Sequence, residues 1–139
     1  MSYPLADHVA DKVAATYEQH GEGRNPSTRY RDLVDLVAIA RGASVEATAQ
    51  VRAVRSEFER RGLMLPESFN VPDRSLWARG YAAEARRSLL DTATTLDEAL
   101  AIVRQFLDPL FDSRAAGTWI PTEQRWTEPP GQPEPQPAS

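Results

Sequence analysis

Residues 95–111, TLDEALAIVRQFLDPLF, decide the fold. Thr95 and Glu98 form a capping-box pair, in which a hydroxyl and a carboxylate satisfy each other's free backbone donors at a helix start. Behind that cap, Leu96, Ala99, Leu100, Val103, Phe106, Leu107 and Leu110 recur at helical spacing and make one apolar face. Pro109 predicts a stop or a kink, because proline brings no N–H and its ring crowds the preceding turn.

Four further helices read outward from this one. Leu5 to His20 follows Pro4, a residue suited to a helix start, and ends at Gly21. After the loop Gly21 to Pro26, the caps Ser27 or Thr28 open a helix whose stripe is Leu33, Leu36, Val37 and Ala40, ending before Gly42. A third starts at Ser44, carries Val51, Val54 and Phe58 at i, i+3 and i+7, and stops at Gly62. Leu63 to Pro72 holds two prolines and reads as an extended connector. Asp73 caps a fourth helix with Leu76, Trp77, Tyr81 and Ala85 on one side. No segment reads as a convincing strand. The expected fold is all-α, a bundle of about five helices over residues 1–111. Residues 112–139 are predicted to be irregular. The last nineteen residues hold six of the eleven prolines, too little apolar surface to offset ordering entropy, so a disordered or polyproline-like tail is expected. Trp119, Ile120 and Trp126 are the side chains in this region able to fold back onto the bundle.

Composition narrows the chemistry. The chain has 139 residues, a length suited to one domain, and a net charge of −4 with a mean hydropathy of −0.50. With no cysteine, disulfides, thiolate zinc sites and cysteine nucleophiles are excluded, and two histidines are too few for a His-rich metal site. The longest apolar runs, Leu36 to Ala40 among them, fall far short of the roughly 18 residues that span a bilayer. Met1-Ser2-Tyr3-Pro4 shows neither a basic nor an apolar leader region. A cytoplasmic protein without membrane contact is therefore expected.

Fifteen of the sixteen basic residues are arginine, which makes Lys12 the only lysine. Stepping about 100° per residue from Leu5 places Lys12 within the apolar stripe, near Val9 and Thr16, with Asp7, Asp11 and Glu18 opposite. Lys12 is then either a snorkelling residue at the stripe's edge or an inward-facing cation that needs a carboxylate or a phosphate. On the second helix Asp32 flanks the stripe, in the first turn, where a carboxylate also complements the helix dipole. Arg31 and Asp35 fall on the far side as an i, i+4 pair, expected to be solvated. Arg29 and Arg31 beside a helix start make a ready anion site with Lys12.

The run Ala10-Asp11-Lys12-Val13-Ala14-Ala15-Thr16-Tyr17-Glu18, followed by Ser27-Thr28-Arg29-Tyr30-Arg31-Asp32-Leu33-Val34-Asp35-Leu36, resembles the C-terminal half of the AbiEii/AbiGii-type nucleotidyltransferase toxins. That family shows a DKL-x-A helix and then an S-x-R-x-K-D-L-x-D-L helix start. The likeness continues through Phe58-Glu59-Arg60-Arg61-Gly62, Leu65-Pro66 and Trp77 to Phe106-Leu107-Asp108-Pro109. It implies transfer of NMP from an NTP to RNA, with tRNA ends as the known kind of acceptor. It also implies a toxin–antitoxin or phage-defence role with a cognate antitoxin as partner. By the same resemblance, Lys12 matches the lysine that contacts NTP phosphates, Asp32 the catalytic aspartate and Arg29 the motif arginine. Arg31 stands where the family has lysine, keeping the charge but presenting a planar fork.

The family's Gly-Ser element and its Asp-x-Asp pair, whose aspartates hold the divalent metal ions, are absent from this sequence. The resemblance therefore implies that Mg²⁺ and NTP are bound only together with a separate N-terminal nucleotidyltransferase half, and that the chain alone is inactive. On that reading Lys12 and Asp32 share one cleft and the bundle exposes apolar surface. The alternative is a non-catalytic helical protein-interaction module, in which the two are ordinary surface residues. A helical ribonuclease with an Arg-then-His motif is excluded, since His8 and His20 both precede Arg24, the first arginine. Gly21-Glu22-Gly23 lacks the third glycine of a dinucleotide loop.

Overall fold

The computed structural model describes residues 4–18 and 29–127. The loop Gly21 to Pro26, the caps Ser27 and Thr28, His20 and the tail from residue 128 lie outside the described residues. Five helices, α1 (Leu5–Tyr17), α2 (Tyr30–Gly42), α3 (Ala47–Arg60), α4 (Arg74–Arg87) and α5 (Leu96–Phe111), form the body.

Local chemistry accounts for the helix ends. In α5, Glu98 N donates to Thr95 Oγ1 and Thr95 N to Glu98 Oε1, each at 3.2 Å, completing the capping box. Asp73 Oδ1 accepts from Leu76 N at 3.0 Å and caps α4. At the end of α3, Gly62 takes φ +70°, and Leu63 N bonds back to Phe58 O at 2.8 Å while Gly62 N bonds to Glu59 O at 3.1 Å. This double return is the C-terminal motif that favours a glycine.

Pro109 does not stop α5, which runs on to Phe111. The ring sits in the last turn, where it denies a donor only to the carbonyl of exposed Gln105, while Leu110 and Phe111 beyond it are buried. Burial of two large side chains, about 1.5–3 kcal/mol each, outweighs one missing hydrogen bond of about 1 kcal/mol.

Strands are present as well. β1 (Val45–Glu46), β2 (Thr118–Ile120) and β3 (Arg125–Trp126) make an antiparallel sheet in the order β1-β2-β3, with Val45 opposite Trp119 and Trp119 opposite Trp126. The expected cap Ser44 accordingly lies ahead of a strand, and α3 begins only at Ala47. Trp119 is the reason the sheet holds. Its indole is fully buried, donates to Ala40 O at 2.7 Å and packs on Phe106 at 5.1 Å between ring centroids. Trp126 stacks on Phe106, 5.7 Å away and 8° from parallel, stands 5.6 Å from Trp119, and donates to Phe106 O at 3.0 Å. Trp119 thus belongs to the core and Trp126 packs against it, so residues 118–126 are not an irregular extension.

Within that core α1 packs chiefly on α3, and α2 lies against α4, α5 and α1. Trp77, Tyr81, Phe58, Phe69 and Phe106 are its largest fully buried side chains besides Trp119. No described helix is long and apolar enough to cross a membrane.

Candidate functional site

The first turn of α2 meets the middle of α1. Lys12 Nζ reaches across this contact to Asp32 Oδ1 at 3.3 Å and to Asp35 Oδ2 at 2.9 Å. Arg29 Nε lies 2.9 Å from Asp32 Oδ2, an ion pair without hydrogen-bond alignment. Arg31 Nε donates to Asp35 Oδ1 at 3.3 Å, and its Nη1 lies 3.9 Å from Glu84 Oε2 on α4. The four sequence-derived site residues, Lys12, Arg29, Arg31 and Asp32, therefore stand in one chain of ion pairs.

Burial grades this chain from inside to outside. Asp32 retains 8% of its surface and Lys12 is half-buried, whereas the Arg29 and Arg31 side chains are 49% and 68% exposed. Burial works against the Lys12 charge, but the hydrogen bond to Asp35 and the charges of Asp32 and Asp35 outweigh it and hold its pKa above the ordinary lysine value. Lys12 is thus an inward-facing cation with carboxylate partners, not a snorkelling residue.

Asp35 corrects the sequence reading. It was expected in a solvated pair with Arg31, and it keeps that pair, but its second oxygen takes the shorter of the two Lys12 contacts. The signal was its i, i+3 spacing from Asp32, which sets two carboxylates on one flank of a helix. Glu84 was missed as well. It bridges Arg31 to Arg87, the latter at 2.7 Å, and nothing local in α4 marks it for that role.

A divalent ion does not fit this cluster. Asp32 and Asp35 both direct an oxygen at the Lys12 ammonium, and among the described residues no three His, Asp or Glu side chains converge as a metal site. Anion chemistry fits better, because the exposed arginine forks can take phosphate oxygens while their carboxylate partners hold them in place. The apolar surface expected of a bundle that has lost its cover is small. The exposed large hydrophobic residues among those described, Leu5, Met64 and Leu89, come from three separate segments.

No curated protein matches the chain, and no solved structure does. A family model for the AbiEii nucleotidyl transferase toxin of type IV toxin–antitoxin systems matches residues 1–113. That stretch spans all five helices and every member of the ion-pair chain. The chain belongs to the AbiEii nucleotidyl transferase toxin family.

Proposed function

We propose that this chain provides the nucleotide-facing helical side of a nucleotidyltransferase that moves NMP from an NTP to the end of an RNA, in the cytoplasm, as the toxin of a toxin–antitoxin or phage-defence pair with a cognate antitoxin. In that reaction an acceptor hydroxyl forms a bond to the α-phosphorus, the α–β phosphoanhydride bond breaks, and pyrophosphate leaves with its charge. Arg29 and Arg31 meet the phosphates at the start of α2, where free backbone N–H groups also favour an anion. Asp32 is the acidic member of the site, holding Lys12 on one oxygen and Arg29 on the other. Lys12 adds positive charge close to the phosphates. The carboxylates that hold Mg²⁺ come from a separate nucleotidyltransferase half, and the chain alone is inactive.

The observation that carries this reading is that the cations and the aspartate matched to the family's motif stand in one linked cluster on α1 and α2. The test is NMP transfer from labelled NTP to tRNA by the chain combined with a polypeptide bearing a Gly-Ser…Asp-x-Asp element. Lys12→Ala is expected to lower transfer at least a hundredfold, and unchanged transfer overturns the assignment.

One observation favours a second reading, a non-catalytic helical interaction module: Lys12 already has two carboxylates, and so pins α1 to α2 without any ligand. On this reading Lys12→Ala changes stability but no NTP-dependent readout.

A further inference from the structure

Arg61, just past the end of α3, commits its whole guanidinium to carboxylates. Nε donates to Glu57 Oε2 at 2.7 Å, Nη1 to Glu18 Oε2 at 3.3 Å, and Nη2 to Asp11 Oδ1. The Arg61 side chain is 14% exposed and that of Glu57 11%. Glu57 belongs to α3, whereas Asp11 lies on α1 and Glu18 directly follows that helix. Two of the acids opposite the apolar stripe of α1 are therefore gathered on a cation from the neighbouring helix, not left to solvent.

An ion cluster this far from water adds little stability over apolar packing of the same volume, because desolvation offsets most of the attraction. What such a cluster does well is fix register. Helix α1 has need of that. The residues it buries are Val9, Ala10, Val13, Ala14, Ala15 and Thr16, half of them alanine, and small side chains interdigitate little and so set the roll of a helix weakly. At the other end of the same contact Gln50 of α3, fully buried, donates to Ala6 O at 2.9 Å. Polar bonds thus tie α1 to α3 at both ends. Successive residues of a helix stand about 100° apart around its axis. With Asp11 fixed on α3, Lys12 turns to the adjoining face, where α2 brings Asp32 and Asp35.

We propose that Arg61 is a positioning residue for the candidate site, locking the roll of α1 on α3 so that Lys12 is aimed at Asp32 and Asp35. A planar guanidinium suits the task, since its donors leave in fixed directions, whereas a lysine ammonium would keep the charge without the orientation. That Lys12, so aimed, serves phosphate chemistry rests on the nucleotidyl-transfer reading. The aim itself does not, and it is measured without any nucleotide.

Lys12 is the only lysine, so the full-length chain made with isotope-labelled lysine reports it as a single side-chain signal by NMR. The signal of the same chain unfolded in urea marks an ammonium without partners. Arg61→Gln is expected to move the Lys12 signal of the folded chain toward that position by at least half of the difference. Arg60→Gln makes the same charge change one residue away, but Arg60 binds Glu57 on its own helix, and this variant is expected to leave the signal in place. Arg61→Lys should give a smaller move of the same sign, and it carries the test if Arg61→Gln does not fold. A folded Arg61 variant that loses stability in urea while its Lys12 signal stays put overturns the proposal and leaves Arg61 a structural tie. Equal movement of the signal in Arg60→Gln overturns it too, since the effect would then follow charge and not the lock. A failed NMP-transfer assay beside a displaced Lys12 signal removes the nucleotidyl-transfer reading and sustains the lock.

Discussion

The ring of Tyr30 occupies the place that a Cβ on Gly80 would take. Tyr30 opens α2 immediately after Arg29 and stands edge-on to Trp77, 4.9 Å between centroids, so it cannot retreat inward. The absent side chain on α4 therefore sets how closely the start of α2, with its arginines, approaches the bundle. In an exposed helix Gly→Ala gains about 1 kcal/mol, but here overpacking costs about 1–3 kcal/mol. Gly80→Ala is expected to lower stability in urea unfolding by about 1 kcal/mol net. A gain of about 1 kcal/mol would show that the ring moves freely and that this contact positions nothing.

Lys12 and Asp35 should be energetically coupled. Each is partly shielded from water, and Lys12 Nζ donates to Asp35 Oδ2 at 2.9 Å, a charge-assisted bond of the stronger kind. A double-mutant cycle with Lys12→Ala and Asp35→Ala is expected to give a coupling of about 0.5–2 kcal/mol. Lys12→Ala alone should cost more than Asp35→Ala, because it leaves both Asp35 and the buried Asp32 without the ammonium. A coupling of zero would mean that the two side chains are independently solvated.

Much of this arrangement was legible in the sequence, and the gaps have physical causes. The Thr95–Glu98 cap, the Gly62 stop and the burial of Trp77, Tyr81 and Ala85 follow from local rules that need no tertiary information. Lys12 was legible because a charge inside an apolar stripe demands a partner, and the partner Asp32 sat on the flank of the next helix. Asp35 was assigned by wheel angle to the far side, but its side chain reaches the α1–α2 contact from there. The sheet could not be read, since strands of two or three residues carry no usable alternation. Two long-range indole bonds fix them, from Trp119 to Ala40 O and from Trp126 to Phe106 O.

Acid should unfold the protein partly through Glu57. Its carboxylate is buried between Arg60, at 2.6 Å, and Arg61, at 2.7 Å. The hydrogen bonds from Arg60, with that of Arg61 and the charges of both, outweigh burial and hold its pKa below the ordinary glutamate value. A lowered carboxyl pKa gives stability that is present above the unfolded value and lost as pH falls through the folded one. The same Arg61 ties α3 to Asp11 and Glu18, the latter just past the end of α1. Glu57→Gln is expected to flatten the fall of the urea midpoint below pH 4.5 and to lower stability at pH 7. An unchanged acid limb would remove Glu57 from the account.

Alkali should act through Tyr81. Burial pushes this phenol up to about 12, and its hydroxyl donates to Ala93 O at 2.7 Å. The unfolded chain ionises the group near 10, so folding stability falls as pH rises from there through the folded value. Tyr81→Phe removes both the hydrogen bond and the titration. It is expected to cost about 1 kcal/mol at neutral pH and to make the decline above pH 10 less steep. Tyr17, also raised to about 12 by burial, keeps a remaining slope in that variant.

The family match ends at residue 113, yet the core does not. A chain cut there would lose Trp119, which is fully buried, and Trp126, whose ring covers Phe106. It would also leave Ala40 O, in the last turn of α2, without its indole donor. Loss of one large aromatic side chain from a core costs about 3–5 kcal/mol, a large share of the roughly 5–15 kcal/mol by which a domain is stable. The 1–113 fragment is therefore expected to unfold at much lower urea concentration than the full chain, or to lose a cooperative transition altogether. Trp119→Phe should fall between the two, because it keeps the packing against Phe106 and gives up only the hydrogen bond and part of the ring. If the fragment melts together with the full chain by circular dichroism, β2 and β3 are ornaments on a self-sufficient helical bundle. If it does not, this member of the family completes its core with residues that lie beyond the matched region, and its α2 site depends on them.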